Sequence, residues 1–338
     1  MSKRTKLRAG VTALIASAAL FATAPVAPAA TVSLRLATAA PEKSVWMGML
    51  KAWKTRVADL SKGDIDIELY PSGQLGAMDE TLSQMLRGRL DIYTGSIPYL
   101  ASVAPDLGVL VLPYLFDSEA QSVCVMSRLD AATNAALDGK GEFIAFMPVG
   151  WMNISSTTPV HVPSDLAGRK IRSNPLNVSN ILLRAYGANP VPIAPAETAS
   201  ALSTGLVSGG DNALAFWAST GQARISKYYL QVHHYLNTSA IVISERSWKK
   251  LSPDQQKILH DAADAIAYPK VQKMLDGFEK KVIAKVTAAG AVVSTPTPEQ
   301  KALWRKAGQG TWDEILKDAS PSKRAYLAKI EALKADCN

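Results

Sequence analysis

Ile65-Asp66-Ile67-Glu68-Leu69-Tyr70, followed at once by Pro71-Ser72-Gly73, is the stretch on which the fold turns. Ile65, Ile67 and Leu69 alternate with polar neighbours, the period-2 pattern of a strand with one buried face, and Pro71 to Gly73 end it. Upstream, Ser33–Ala39 (SLRLATA) alternates in the same way. Between the two, Leu50, Trp53, Val57 and Leu60 recur at helical spacing in 45–60. Downstream, Leu75, Met78, Leu82 and Met85 mark a second helix stopping at Gly88, and Leu90–Tyr93 resumes a strand. The order β-α-β-α-β predicts an α/β fold with a largely parallel sheet.

The alternation continues to the C-terminus. Strands are expected at Phe143–Met147, Trp151–Ser155, Arg169–Arg172, Val191–Ile193, Tyr228–His233 and Ala240–Ser244, with short helices at Val178–Tyr186 and Glu197–Thr204. Ser252-Pro253-Asp254-Gln255 is a capping box with Pro at the first helical position. It opens a long helix that runs past Val282, kinked at Pro269. Thr297-Pro298-Glu299-Gln300 repeats the start signal. The 338 residues suggest two domains at about 150 residues each. No Gly/Ser linker separates them, so the chain is expected to cross between lobes more than once.

The N-terminus reads as an address. Lys3, Arg4, Lys6 and Arg8 precede an apolar run, 11–22, and a small-residue stretch ending in Ala27-Pro28-Ala29. That is the secretory signal-peptide pattern, with cleavage expected near Ala29 or Ala30. Residues 1–30 are therefore expected to be removed and the rest to be soluble in the periplasm. Of 37 Lys and Arg against 29 Asp and Glu, setting those four aside leaves 33 against 29. No nucleic-acid partner is indicated. Cys124 and Cys337 are the two cysteines. An oxidising compartment permits a bridge between them, but sequence does not set their separation.

Enzyme chemistry finds no support. The metalloprotease, phosphate-loop, dinucleotide and nucleophile-elbow motifs are absent, and the four histidines are not at ligand spacing. No cofactor or metal is expected. His233-His234, neighbours on a strand, point to opposite faces, and a structural role is the simpler reading. Gly168-Arg169-Lys170-Ile171-Arg172 puts Lys170 and Arg172 on one strand face. A guanidinium suits a carboxylate because its planar fork donates two parallel hydrogen bonds, although solvated edge charges fit the same residues. The glycines of 205–212 (GLVSGGDN) permit close backbone approach or simply a turn.

Five segments in order resemble the extracytoplasmic substrate-binding proteins of TRAP transporters, of the dicarboxylate-binding (DctP) type. Tyr70-Pro71-Ser72-Gly73-Gln74-Leu75-Gly76 is similar to Y-P-x-G-Q-L-G, and 112–116 (LPYLF) to L-P-[FY]-L-F. Residues 163–172 (PSDLAGRKIR) resemble P-x-D-L-x-G-x-K-I-R, 187–190 G-A-x-P, and 197–212 E-x-x-x-A-L-x-x-G-x-V-D-G-x-[ED]-N. The resemblance implies a two-lobed periplasmic binding protein of the Venus-flytrap type, with crossing strands and a long helix spanning both lobes. Residues 31–149 with 238–277 would form one lobe, and 150–237 with 278–338 the other. It implies that Arg172 pairs with a ligand carboxylate, that Asn212 hydrogen-bonds the same group, and that the cargo passes to a membrane permease. A periplasmic subunit presenting the bound acid to a signalling receptor is the alternative.

The departures bear on the ligand. Many members carry a second Arg after G-[aromatic]; here Gly150-Trp151 is followed by Met152. Ser208 replaces the Asp of V-D-G, and Ala199 an aromatic residue. Losing a cation shifts expectation from a dicarboxylate towards an aromatic or short monocarboxylate. Trp46, Trp151, Phe216 and Trp217 lie in segments expected near the cleft, with Gln74 at the first motif.

Overall fold

A computed structural model describes residues 32–174 and 177–337; the expected signal peptide, 1–30, lies outside them. The chain opens with β1 (Val32–Thr38), a helix (Val45–Ser61), β2 (Ile65–Tyr70), a helix (Met78–Leu86) and β3 (Ile92–Ser96). β2, β1 and β3 pair in parallel, in that order across the sheet. Ser44 caps the first helix by accepting from the Met47 amide, and Trp46, Leu50, Trp53 and Val57 bury its inner stripe.

Two long antiparallel strands join the halves: β4 (Gly141–Ser156) and β8 (Tyr228–Ser244). The far part of the sheet adds β5 (Lys170–Ser173), β6 (Asn189–Pro192), β7 (Gly209–Ala213) and β9 (Val292–Ser294), in the overall order β2-β1-β3-β8-β4-β7-β5-β6 with β9 beside β8. The sheet is thus mixed rather than largely parallel. β3 and β7 pair antiparallel to β8 and β4, and parallel pairing is kept within each half.

The crossing strands explain why four separate strands were expected. Register shifts fall between Phe143 and Ala145, Pro148 and Gly150, and Met152 and Ile154. Each bulge flips the alternation phase, so one long strand reads as two short ones. The largest interruption faces His233, whose φ is +49° and whose amide donates to Asn153 Oδ1 at 2.8 Å. β7 was hidden by its glycines. A Cβ on Gly209 would sit 2.4 Å from Ser155 O, so the strand fits only without one.

The long helix opened by Ser252 is not one kinked helix. Pro253–Asp261 gives way to a 3-10 turn, Ala262–Ile266, and a second helix, Tyr268–Ala288, begins after the extended residue Ala267. Pro269 sits in the first turn of that new helix, where its missing N–H costs nothing.

One apolar cluster packs Leu36, Trp53, Ile67 and Ile241 under the helices of the first half. A second runs through both halves and includes Tyr93, Phe143, Leu182, Tyr186 and Trp304. The last helix, Pro321–Asp336, packs on 105–111, 119–126 and 130–137. Tyr326 OH meets Thr133 Oγ1 at 2.8 Å, and a Cys124–Cys337 disulfide fastens the end of the chain there. Among the described residues no helix is long and apolar enough to cross a membrane, and no cluster of His, Cys, Asp and Glu is placed to hold a metal.

Candidate functional site

The site is built from the ends of strands that meet where the two halves join. On β5, Lys170 points outward, whereas Arg172 is only 2% exposed. Its Nε donates to Ile193 O (2.9 Å), Nη1 to Asp211 O (3.0 Å) and Nη2 to Asn174 Oδ1 (3.1 Å). A guanidinium has five N–H donors, so two remain for a ligand. Burial pulls the pKa of Arg172 down, while Asp211, Tyr235 and Tyr99 pull it back up. The group stays cationic throughout the physiological range.

The adjacent carboxylate attracts Arg172 but takes none of its N–H groups. Asp211 is fully buried and accepts from Tyr235 OH (2.6 Å) and Ser179 Oγ (2.7 Å), with His234 Nε2 at 3.0 Å. Burial pushes its pKa up, but His234, Tyr235 and Ser179 outweigh that and hold it below the usual carboxylate value. Asp211 therefore orients the wall behind Arg172, and the charge of Arg172 faces the cleft.

The cleft encloses a cavity of about 90 Å³. Among the described residues, Arg172 is the one charged residue lining it. Trp46, Met147, Met152 and Phe216 supply apolar walls, and Asn174, Asn212 and Asn237 supply amides. Trp46 enters from the first half and Phe216 from the helix Leu214–Ser219; their ring centroids are 6.2 Å apart at 41°. The indole of Trp46 donates to Pro148 O (3.0 Å) on the crossing strand, so its ring is fixed and its polar edge satisfied. The arrangement can seat a small anion with an apolar body.

Residues 36–318 match the DctP model, described as bacterial extracellular solute-binding protein, family 7. The chain belongs to that family. It is similar to the 2,3-diketo-L-gulonate-binding periplasmic protein YiaO of Escherichia coli K12, 28% identical over 320 residues, covering 93% of this chain and 95% of that protein. It is also similar to the C4-dicarboxylate-binding periplasmic protein DctP of Rhodobacter capsulatus, 27% identical over 282 residues, covering 81% and 82%. Its structure resembles the TRAP periplasmic solute-binding protein of Xanthobacter autotrophicus Py2 with bound β-D-galacturonate. The TM-score is 0.82 at 25% identity, covering 88% of this chain and 99% of that one.

Within this family 7 binding protein, Arg172, Asn212, Met152 and Trp46 come together around the cleft. Asn212 donates from Nδ2 to Ser155 Oγ at 3.1 Å, and its main-chain carbonyl accepts from Tyr229 OH. Three expected residues are elsewhere. Trp217 is fully buried and spends its N–H on Ser226 O, so it is core; its neighbour Phe216 takes the cleft position. Trp151 stacks on His233, 5.5 Å between centroids, and lines a separate cavity with Glu119 and Lys301. Gln74 is exposed on its turn, and Met78 of the following helix reaches the cleft instead.

Asn174 and Asn237 are among the lining residues that were missed. Asn174 lies two residues beyond Arg172, so the alternation that placed Arg172 carried it too. Asn237 was visible only as part of an Asn-x-Ser triplet, which said nothing of a ligand.

Proposed function

We propose that this family 7 binding protein is exported by a cleaved signal peptide, captures a small organic monocarboxylate outside the cytoplasm and delivers it to a TRAP membrane permease. The observation that carries the ligand class is Arg172: a buried cation with two unspent N–H groups, set among uncharged residues. A carboxylate offers the matching pair of acceptors and the compensating charge. Met152 supplies no second cation where a dicarboxylate would need one. The relatives' cargoes span both classes, since 2,3-diketo-L-gulonate and galacturonate each carry one carboxylate and C4-dicarboxylates two. The ligand's contacts with both halves, Trp46 on one side and Arg172 on the other, would favour the closed arrangement over an open one, because only differential contacts shift such an equilibrium.

A thermal-shift screen tests this. The panel contrasts monocarboxylates, dicarboxylates and neutral analogues. A folded-state ligand at 100 times its Kd stabilises by about 2.7 kcal/mol, enough to move Tm by several degrees. Shifts with monocarboxylates and none with neutral analogues are expected; stabilisation by neutral compounds alone contradicts the reading.

A further inference from the structure

Asn237 lies on β8 where it crosses between the halves, paired with Gly150 of β4. It lines the cleft, it is 6% exposed, and its Oδ1 is buried with no hydrogen-bond partner. An unpaired buried amide oxygen is costly, and strand pairing holds this one in place. Two hydroxyls line the same cleft. Ser239 follows two residues along the same strand, hence on the same face, and is paired across the sheet with Ser96 of β3. Both serines line the cleft, and the Ser96 side chain makes no capping bond to the short helix it precedes. Arg172 belongs to β5, in the other half of the sheet. The cleft thus has a cationic site and, separately, a polar row in which the Asn237 acceptor lacks a donor.

We propose that Asn237, with Ser96 and Ser239, is the specificity row of this cleft and selects carboxylates that bear a hydroxyl, which donates to Asn237 Oδ1. The inference rests on the carboxylate reading and narrows it. An acid without a donor leaves Asn237 Oδ1 desolvated and unpaired, whereas a hydroxylated one satisfies it. Sites built to bond a substrate hydroxyl reject the analogue lacking it for this reason.

Calorimetric titration of the purified protein with benzoate, 3-hydroxybenzoate, 4-hydroxybenzoate, D-glucuronate and D-galacturonate provides the test, repeated on Asn237→Leu, Asn237→Asp and Arg172→Gln. At least one hydroxylated acid should bind the wild type on the order of tenfold more tightly than benzoate. Asn237→Leu should erase that preference while still binding acids. Asn237→Asp keeps the acceptor oxygen and the size, so it reports on the site even if the leucine variant folds poorly. It should keep the hydroxyl preference while weakening all acids, because a second charge enters the cleft. Ligand-free Asn237→Leu should melt higher than wild type, since the unpaired oxygen is gone. If acids bind through Arg172 with no hydroxyl preference, or if the preference survives Asn237→Leu, the inference about Asn237 is overturned and the carboxylate reading stands. If no acid binds, or Arg172→Gln binds them equally well, both fall.

Discussion

Arg172 donates through Nη1 to the main-chain carbonyl of Asp211 at 3.0 Å, yet makes no ion pair with the Asp211 carboxylate among the described residues. That carboxylate is spent on Tyr235, Ser179 and His234. The two buried charges attract each other, but the carboxylate takes none of the guanidinium N–H groups, which leaves two of them for a ligand. A buried, hydrogen-bonded carboxylate of this kind is sensitive to losing its form. Asp211→Asn puts an amide N–H against a hydroxyl that now donates, and should lower unfolding stability by about 1–3 kcal/mol. The urea midpoint measures it; an unchanged midpoint with unchanged slope contradicts this role.

Acid should act through the same residue. The folded-state pKa of Asp211 lies below its unfolded value, so its stabilising contribution is present above about pH 4, the unfolded carboxylate value, and is lost as pH falls through the folded one. Asp211→Asn should therefore show a shallower loss of Tm than wild type on acidification below pH 4.

Glu279 should give the opposite slope. Burial raises its pKa to about 7, and Asp276 and Glu119 add like-charge repulsion that the Ala215 amide only partly offsets. Its folded pKa exceeds the unfolded value, so the folded state binds the extra proton, and this group's contribution is lost as pH rises from about 4.5 towards 7. The stability of Glu279→Gln relative to wild type should increase between pH 5 and pH 8. A flat difference contradicts the shift.

The Cys124–Cys337 bridge links residues 213 apart in sequence. Closing so long a loop restricts the unfolded chain, and replacing both cysteines by serine should cost about 2–5 kcal/mol. The wild type in reductant should approach the double variant in Tm, and neither change should alter ligand affinity much, since the bridge is outside the cleft.

Met152 sets the charge count of the cleft. Met152→Arg buries a second cation beside Arg172, so the ligand-free protein should melt lower, and succinate should restore Tm more than any monocarboxylate does. Equal rescue by acetate and succinate would show that the position does not count carboxylates.

Much of this was legible in the chain. β2 was expected at 65–70 and is found there, because its alternation is unbroken and Pro71 ends it. Arg172 followed from a short basic strand and a family motif. The family resemblance implied crossing strands, but their continuity, β7 and the break before Pro269 were not legible in the alternation, for separate reasons. Bulges reverse the alternation, glycine carries no side-chain signal, and a 3-10 turn between two helices keeps helical spacing. In the cleft, Phe216 and Trp217 were both expected nearby and only Phe216 lines it, because a one-residue step on a helix turns a side chain by 100°. Asn237 was unreadable because what makes it unusual is a missing partner, which only packing reveals.

The most direct test compares the Kd of wild type and Arg172→Gln for the tightest acid found in the thermal-shift screen. Removing one partner of a buried charge pair costs about 2–5 kcal/mol, so affinity should fall roughly 30-fold to several thousand-fold while the variant remains folded. Unchanged affinity in a folded variant would contradict the account: Arg172 would be a brace between Ile193, Asp211 and Asn174, and the ligand would not be held by its carboxylate.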